Sequence, residues 1–254
     1  MFYGRGPRKA AAASTAEIIR FNESDIPGGT QVKAYFIDMT GTARDYDAIN
    51  NIVVKAGGRQ VWNVNELQHA ALCQHYYKKA GPGATATRFT IPFQAGALPG
   101  MSLGFAPRAA AVEIDIDNTP SATGDVGLAY LLDDAPTNFY PMFVQSDGNI
   151  AASATNGRYP VTQQGLLRGF CIARTTSITD IRVYVGNRPI LDLTGPQLLE
   201  SQELFEGGTV SLNRYVELPA VPVIPGETFI EITTDGSWAA TDKIAIHTLV
   251  PVGQ

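Results

Sequence analysis

Two stretches of the chain decide its fold: NIVVKAGGRQVWNV at Asn51–Val64 and DIRVYVGNRPILDL at Asp180–Leu193. In both, apolar residues alternate with polar ones, the period-2 pattern of a half-buried β-strand. Gly57-Gly58 in the first stretch and Gly186-Asn187 in the second are two-residue hairpin signals, because these residue types adopt positive φ angles at little cost. Each stretch therefore predicts a β-hairpin.

The second hairpin repeats the first at a constant separation of 129 positions. The aligned pairs are Ile49 and Ile178, Ile52 and Ile181, Val54 and Val183, Gly57 and Gly186, Arg59 and Arg188, Val61 and Ile190, and Val64 and Leu193. The turns and the arginines after them form the signature of the repeat: Gly57, Gly58 and Arg59 in the first copy, and Gly186, Asn187 and Arg188 in the second. A unit of this length is too long for a solenoid repeat, so the pattern predicts two tandem copies of one β domain.

Segments beyond the hairpins extend the repeat. A helix is predicted after each hairpin, at 65–79 and 196–206, and an arginine next to an aromatic residue follows each helix, at Arg88-Phe89 and Arg214-Tyr215. Further along, the matched pairs are Ile114 and Ile230, Ile116 and Ile232, Leu128 and Ile244, and Tyr130 and Ile246. Many short strands with one inserted helix per copy predict an all-β fold of two tandem eight-stranded jelly rolls, each a β-sandwich.

The composition suggests where the two copies are divided. Between 133 and 164, Asn, Ser, Gly, Ala and Pro predominate, as at a domain boundary or a long surface loop. We predict an N-terminal basic segment at 1–30, a first jelly roll at 31–135, a connecting loop region at 136–158 and a second jelly roll at 159–254. The first twenty residues carry a local charge of +3, and their alanine-rich run is short for an isolated helix, so a frayed terminus is the simplest alternative.

The overall charge limits the possible functions. The 254 residues have a net charge of −5, which argues against a general nucleic-acid binder, because such proteins present a basic surface. Only 17% of the residues are charged, as expected of an all-β protein whose surface is used for contacts. No apolar run approaches the roughly 18 residues that span a bilayer. Cys73 and Cys171 are expected to be reduced and buried, since no secretory signal precedes them.

Candidate catalytic and metal-binding residues are few. Nucleophile-elbow, P-loop, dinucleotide-binding and zinc-protease motifs do not occur in the sequence. His69 and Cys73 stand one helical turn apart, but zinc needs three or four ligands, so ordinary helix residues are the expectation. Glu113, Asp115 and Asp117 share one face of a predicted strand and form a candidate Ca²⁺ site, with a solvated strand face as the alternative.

Each copy of the repeat reads I-x-x-I-x-V, then a glycine turn, then R-x-(V/I)-(W/L)-x-(V/L), and then a helix. This unit, which occurs twice, resembles the double jelly-roll major capsid proteins of tailless, icosahedral, membrane-containing bacteriophages of the corticovirus type. The likeness spans about residues 31–250 and leaves the N-terminus unmatched. It implies a structural coat protein of the virion, made in the host bacterial cytoplasm, without enzyme activity or a required cofactor. The implied partners are two further copies in a trimer, neighbouring capsomers, minor or vertex capsid proteins, and no specific nucleic acid.

The resemblance also gives the basic N-terminus a role. An internal viral membrane is the expected partner of Arg5, Arg8 and Lys9, because each cation is worth about 1 kcal/mol near an anionic lipid surface. This N-terminal contact with the membrane is a hypothesis.

Two other functions stay open at this stage. A carbohydrate-binding or receptor-binding β-sandwich could use Trp62, Trp238, Tyr76 and Tyr77, although the repeat places Trp62 in a core strand. A cupin-type enzyme is disfavoured, because that fold supplies clustered metal ligands from its strands and the chain has three histidines. His247 is expected to point outward or into a subunit contact.

Overall fold

The computed structural model describes residues 2–11, 17–22, 31–40, 49–56, 59–77, 87–99, 103–104, 110–116, 124–133, 138–146, 153–173, 175–206, 214–239 and 243–251. The chain divides into two compact units, unit 1 (Met1–Pro141 with Pro251–Gln254) and unit 2 (Met142–Val250). In the described ranges, no helix is long and apolar enough to cross a membrane.

Unit 1 is a jelly roll. Its elements follow in the order β1 (Phe2–Ala11), β2 (Glu17–Phe21), β3 (Gln31–Met39), β4 (Ile49–Ala56), β5 (Arg59–Val64), α1 (Glu66–Tyr77), β6 (Arg88–Pro92), β7 (Ala110–Ile116) and β8 (Gly124–Asp133). The strands form two antiparallel four-stranded arrays, β1-β8-β3-β6 and β5-β4-β7-β2. Consecutive strands alternate between the two arrays, except for β4 and β5, which form a hairpin within one array. This is the connectivity of a jelly roll.

Unit 2 repeats this order. Its elements are β9 (Phe139–Gln145, which enters the unit at Met142), β10 (Asn156–Pro160), β11 (Leu166–Ile172), β12 (Ile178–Val185), β13 (Arg188–Thr194), α2 (Gly195–Glu206), β14 (Arg214–Pro222), β15 (Thr228–Thr234) and β16 (Ala245–Pro251). The arrays are β9-β16-β11-β14 and β13-β12-β15-β10, the same arrangement strand for strand. The predicted all-β fold of two eight-stranded jelly rolls, each with a short inserted helix, is confirmed.

The two hairpins have identical registers. Ile52 pairs with Val64 in the β4–β5 hairpin, and Ile181 pairs with Leu193 in the β12–β13 hairpin. The register shifts once in each hairpin, directly after Val54 and after Val183, which are again 129 positions apart. Because an irregularity of this kind is a specific structural feature and not a product of alternation, the shared shift supports a duplicated hairpin.

The helices after the hairpins begin in the same way. The backbone N–H of Asn65 donates to Oε1 of Gln68 (3.1 Å), and the backbone N–H of Gln68 donates to Oδ1 of Asn65 (2.9 Å). Thr194 and Gln197 exchange the same two bonds at 2.9 and 3.5 Å. This reciprocal capping box satisfies two backbone donors that a helix N-terminus leaves without partners.

The later matches of the repeat need correction. Ile114 lies opposite Ile52, and Ile232 lies opposite Ile181, so Ile114 corresponds to Ile232 and not to Ile230. The predicted match was two residues out of register, because a period-2 pattern fits equally well after a shift of two. The match of Arg88 with Arg214 also fails, since Arg88 is exposed and Arg214 is buried.

The structure divides the chain differently from the predicted boundaries. The segment 1–30 contains β1 and β2, which pair with β8 and β7 inside the sheets of unit 1. The predicted connecting region 136–158 contains β9 and the start of β10. A polar or alanine-rich composition does not distinguish a loop from a strand at the edge of a sheet, where alternating burial is weak.

Candidate functional site

The signature hairpins present exposed arginines at their turns. Arg59 pairs with Ala56, Arg188 pairs with Val185, and both arginines are exposed. Gly186 has a φ of 63°, a left-handed conformation that favours glycine, and Asn187 beside it is exposed. Gly57 and Gly58 lie outside the described residues. The signature therefore marks the architecture, and its function as a site stays a prediction.

A charged and partly apolar surface covers the outer side of the β1-β8-β3-β6 sheet. The strand registers align its side chains in three rows across the sheet: Arg8, Gly127, Asp38 and Arg88; then Arg5, Ala129, Phe36 and Thr90; then Tyr3, Leu131, Ala34 and Pro92. We call this surface the basic face. From the first row to the third, the side chains change from charged to apolar. Tyr3 in the third row is exposed, and the centroid of its ring lies 5.8 Å from that of Phe36.

Asp38 lies between two arginines on the basic face. Arg8 Nη1 and Arg88 Nε donate to its two carboxylate oxygens, both at 3.0 Å. Partial burial alone would raise the pKa of Asp38, but the hydrogen bonds and charges of Arg88 and Arg8 outweigh it and hold the pKa below its ordinary value. Since Arg5 adds a third cation to the one carboxylate of the three rows, these rows are basic within a chain that is acidic overall.

A groove of about 540 Å³ runs along the middle of the basic face, lined among others by Arg5, Arg8, Phe36, Asp38 and Arg88. Small residues on β8 form its floor. At Gly127 a Cβ atom would lie 2.9 Å from Nη1 of Arg8, so glycine leaves the space through which Arg8 reaches across β8 to Asp38.

The three basic residues predicted to face a membrane do not share one surface. Arg5 and Arg8 lie on the basic face. Lys9 instead donates from Nζ to the carbonyl of Arg20 (2.5 Å) and lies 5.3 Å from the ring centroid of Phe21. The cations that flank the charge centre, Arg8 and Arg88, come from distant parts of the chain, and the sequence did not predict Arg88 or Asp38 as site residues.

The candidate Ca²⁺ ligands are partly occupied by cations. Glu113 accepts a hydrogen bond from Lys55 Nζ (2.8 Å) and lies 3.4 Å from Arg20 Nε. Asp115 is half-buried, and Asp117 lies outside the described residues. Among the residues that the structure describes, no group of three His, Cys, Asp or Glu side chains could hold a metal ion. The Ca²⁺ site stays a prediction.

The fully buried His69 and the half-buried Cys73 form a pair on α1, so of the two cysteines expected to be buried only Cys171 is. His69 Nε2 donates to the carbonyl of Thr90 (2.7 Å), and Cys73 Sγ lies 3.6 Å from the same nitrogen. Burial lowers the pKa of His69 to about 4 despite the bond to Thr90, and burial raises the pKa of the Cys73 thiol to about 12. Cys73 and Cys171 are both free thiols, and a protonated thiol is a poor nucleophile. This pair is structural, with a neutral imidazole.

The corresponding sheet face of unit 2 is filled by buried side chains. On the β9-β16-β11-β14 sheet, Tyr215 Oη lies 2.8 Å from Nδ1 of His247, and both side chains are buried. Gly169 makes room for them, since a Cβ there would lie 2.4 Å from Tyr215 Oη. Burial, with a smaller contribution from the charge of Arg168, lowers the pKa of His247 to about 3. The prediction that His247 points outward or into a subunit contact was wrong for the single chain, in which it is fully buried.

A second exposed surface lies on the outer side of the β10-β15-β12-β13 sheet, and we call it the acidic face. Its rows are Asn156, Thr233, Asp180 and Thr194; then Arg158, Glu231, Arg182 and Asp192; then Pro160, Phe229, Tyr184 and Pro189. Arg182 lies 3.0 Å from Asp192 and 3.5 Å from Asp180. The rings of Tyr184 and Phe229 stack with centroids 4.6 Å apart. Three carboxylates against two arginines make this face acidic.

Solved structures share this arrangement of two units. The major capsid protein P2 from Bacteriophage PM2 matches with a TM-score of 0.67 and 10% identity, over 98% of this chain and 99% of that chain. The fold is a double jelly roll. The capsid of PBCV-1 virus matches with a TM-score of 0.56 and 9% identity, over 98% of this chain and 92% of that one. A chain of Sulfolobus Turreted Icosahedral Virus matches with a TM-score of 0.57 and 8% identity, over 98% of this chain and 89% of that one.

No protein-family model and no curated protein matches the sequence. At identities of about a tenth, the structural matches describe the fold and not the individual function.

Proposed function

We propose that the chain is the major capsid protein of a tailless icosahedral bacteriophage with an internal membrane. The observation that carries this proposal is the end-to-end likeness to the major capsid protein of Bacteriophage PM2, which covers 98% of this chain and includes both jelly rolls. Two units with the same strand order and hairpin register give a trimer six equivalent units. Six such units form a near-hexagonal tile, and such tiles cover a closed shell.

The proposed mechanism is assembly through surfaces, without catalysis. Three copies close a symmetric trimer, and weaker contacts with neighbouring capsomers and minor or vertex proteins extend the shell. The exposed basic and acidic faces are available for such contacts. We place the chain in the virion after synthesis in the host bacterial cytoplasm.

The internal membrane is the third proposed partner, with the basic strand β1 as its candidate contact. Removing residues 1–20 would not test this contact, because it would delete β1 and most of β2 from the sheets of unit 1. Substitution of Lys9 by Ala keeps the strand and removes one cation. We expect less co-flotation with phosphatidylglycerol vesicles at low salt, and equal flotation of the variant and the parent would contradict this contact.

The proposed function is tested on the purified full-length protein by light scattering and negative-stain microscopy. We expect a uniform species with three times the 27.2 kDa mass of one chain and a near-hexagonal outline. A monomer that binds glycans on an array and forms no larger assembly would instead support a carbohydrate-binding β-sandwich and contradict the capsid proposal.

A further inference from the structure

The two jelly rolls differ in which of their two sheets has an open outer face. The basic face of unit 1 is open, with Tyr3 exposed and Arg88 at 81% side-chain exposure. The same sheet in unit 2 is closed on that side, since Cys171, Tyr215 and His247 are all buried. Since the two sheets have the same strand order, the difference lies in their surroundings and side chains and not in their topology.

The other sheet shows the reverse contrast. In unit 1, Val53 lies on the outer side of the β5-β4-β7-β2 array and is only 8% exposed. Its counterpart in unit 2, 129 positions on, is Arg182, whose side chain is 41% exposed on the acidic face. The acidic face of unit 2 is therefore open at the position where the unit 1 array is covered, although Ile18 and Arg20 on β2 of that array are exposed.

The two open faces complement each other in charge. Within its three rows the basic face carries three arginines against Asp38, and Asp125 and Asp133 on β8 border these rows on either side. The acidic face carries Asp180, Asp192 and Glu231 against two arginines. Opposite potentials of this kind steer association and set the orientation in which two surfaces meet.

The apolar rows of the two faces also match. Each face has a charged side and, two rows along the strands, a row without charges. On the basic face this row is Tyr3, Leu131, Ala34 and Pro92, of which Tyr3 and Leu131 are accessible. On the acidic face it is Pro160, Phe229, Tyr184 and Pro189. Aromatic residues with few charges are the usual centre of a protein–protein contact. A single orientation can therefore bring charge against charge and apolar row against apolar row.

We infer that the basic face of one copy docks on the acidic face of a second copy of this chain. The contact is heterologous, because two different surfaces meet, and such contacts either close into a ring or continue as a filament. The inference rests on the proposed function for its closure at three copies. It assigns Arg5 and Arg8 to a subunit contact in place of the membrane contact that the sequence predicts for them.

The test uses charge reversal on the full-length chain, with the mass in solution as the readout. The variant Arg5→Glu/Arg88→Glu makes the basic face acidic, and Asp180→Lys/Asp192→Lys makes the acidic face basic. We expect each variant to weaken the trimer about a hundredfold or more, because like charges then face each other across the contact. The chain that carries all four substitutions restores opposite charges and is expected to recover the trimer.

A matched control reverses two arginines elsewhere in unit 1, Arg20→Glu/Arg59→Glu, and is expected to keep the trimer. Circular dichroism melting confirms that each variant is folded, and the recovery in the four-substitution chain separates an interface effect from a folding defect. A trimer that persists in both face variants would overturn the inference and leave the proposed function standing. Parent protein that stays monomeric at high concentration would overturn both.

Co-flotation with phosphatidylglycerol vesicles provides the second arm of the test. We expect Arg5→Glu/Arg88→Glu to lose trimers whether or not vesicles are present. An intact trimer together with lost flotation would show that the basic face binds lipid headgroups, and the subunit contact would be wrong.

Discussion

The outer faces of two equivalent sheets carry different side chains. In unit 1 the β1-β8-β3-β6 sheet carries a charged groove over Gly127, whereas in unit 2 the β9-β16-β11-β14 sheet carries the buried pair of Tyr215 and His247 over Gly169. The hairpin registers and the capping boxes are meanwhile the same in both units. The repeated fold therefore keeps the strand pairing and the helix caps in both units and differs on the outer faces, where the contacts are proposed.

The two glycines provide the largest expected difference between the faces. Substitution of Gly169 by Ala would place a Cβ 2.5 Å from the backbone carbonyl of Val216 and 2.4 Å from Tyr215 Oη, and backbone cannot move aside easily. We expect a loss of about 3 kcal/mol in the free energy of unfolding. Chemical denaturation of the purified variant measures this loss.

Gly127→Ala is the matched control in unit 1. Its Cβ would meet only the mobile end of Arg8, at 2.9 Å, so we expect a change within about 0.5 kcal/mol. Equal losses for the two variants would show that the buried and the open face are packed alike, and would contradict the comparison.

The buried histidine of unit 2 predicts a dependence of stability on pH. The pKa of His247 is about 3 in the folded chain and about 6.5 when unfolded, so above pH 6.5 both states are neutral and no difference arises. Below pH 6.5 the unfolded chain binds a proton that the folded chain does not bind until near pH 3. The free energy of unfolding therefore decreases as the pH is lowered through that window. The decrease is at most about 1.4 kcal/mol for each pH unit and each such histidine.

The variant His247→Asn retains an acceptor for Tyr215 and removes the titrating group. Thermal melting between pH 6.5 and 4.5 is expected to show a smaller loss for this variant than for the parent chain. The remaining slope includes His69, which has a pKa of about 4 in unit 1. Identical slopes for the parent and the variant would mean that His247 is accessible to protons in the folded state.

The capping boxes of α1 and α2 are expected to make a smaller contribution to stability than the buried face of unit 2. Asn65→Ala and Thr194→Ala each remove the side chain that accepts from the first turn of α1 or α2, and we expect each to cost about 1 kcal/mol. The bond of Asn65 is shorter, at 2.9 Å against 3.5 Å for Thr194, so Asn65→Ala is expected to cost more. Urea denaturation of both variants, with Asn65→Ser and Thr194→Ser as capping-competent controls, checks the order.

A small effect is also expected at the charge centre of the basic face. Asp38→Asn removes the partner of Arg8 and Arg88, and both ion pairs are partly exposed to solvent. We expect less than about 1 kcal/mol of destabilisation at low salt and less still at high salt. A loss that is larger and independent of salt would place Asp38 in a more buried environment than the open face provides.

The sequence predicts the parts of the fold that depend on local pattern. The hairpins, the helices after them and the duplication follow from alternation, glycine turns and constant spacing, and Trp62 lies buried as its place in the repeat predicts. The predicted match of Ile114 to Ile230 failed because alternation does not distinguish shifts of two residues. The strands within 1–30 were missed because their composition does not differ from that of a loop.

The charged faces were harder to predict for a different reason. Arg8, Asp38, Gly127 and Arg88 come from four strands that are far apart in the chain, and only the strand registers align them in one row. In unit 2, Arg158, Glu231, Arg182 and Asp192 also come from four strands, of which only the two that carry Arg182 and Asp192 form one hairpin. A single sequence contains no signal for such rows, since each residue alone looks like an ordinary polar position of a strand.

The central claim is that two equivalent jelly rolls in each chain build a six-cornered tile from three chains. Electron cryo-microscopy of the purified assembly tests it most directly. We expect three chains around a threefold axis, with six jelly rolls in a pseudo-sixfold ring and Arg88 of one copy facing the acidic face of the next. A monomer, or an assembly in which the basic and acidic faces both point to solvent, would contradict the account.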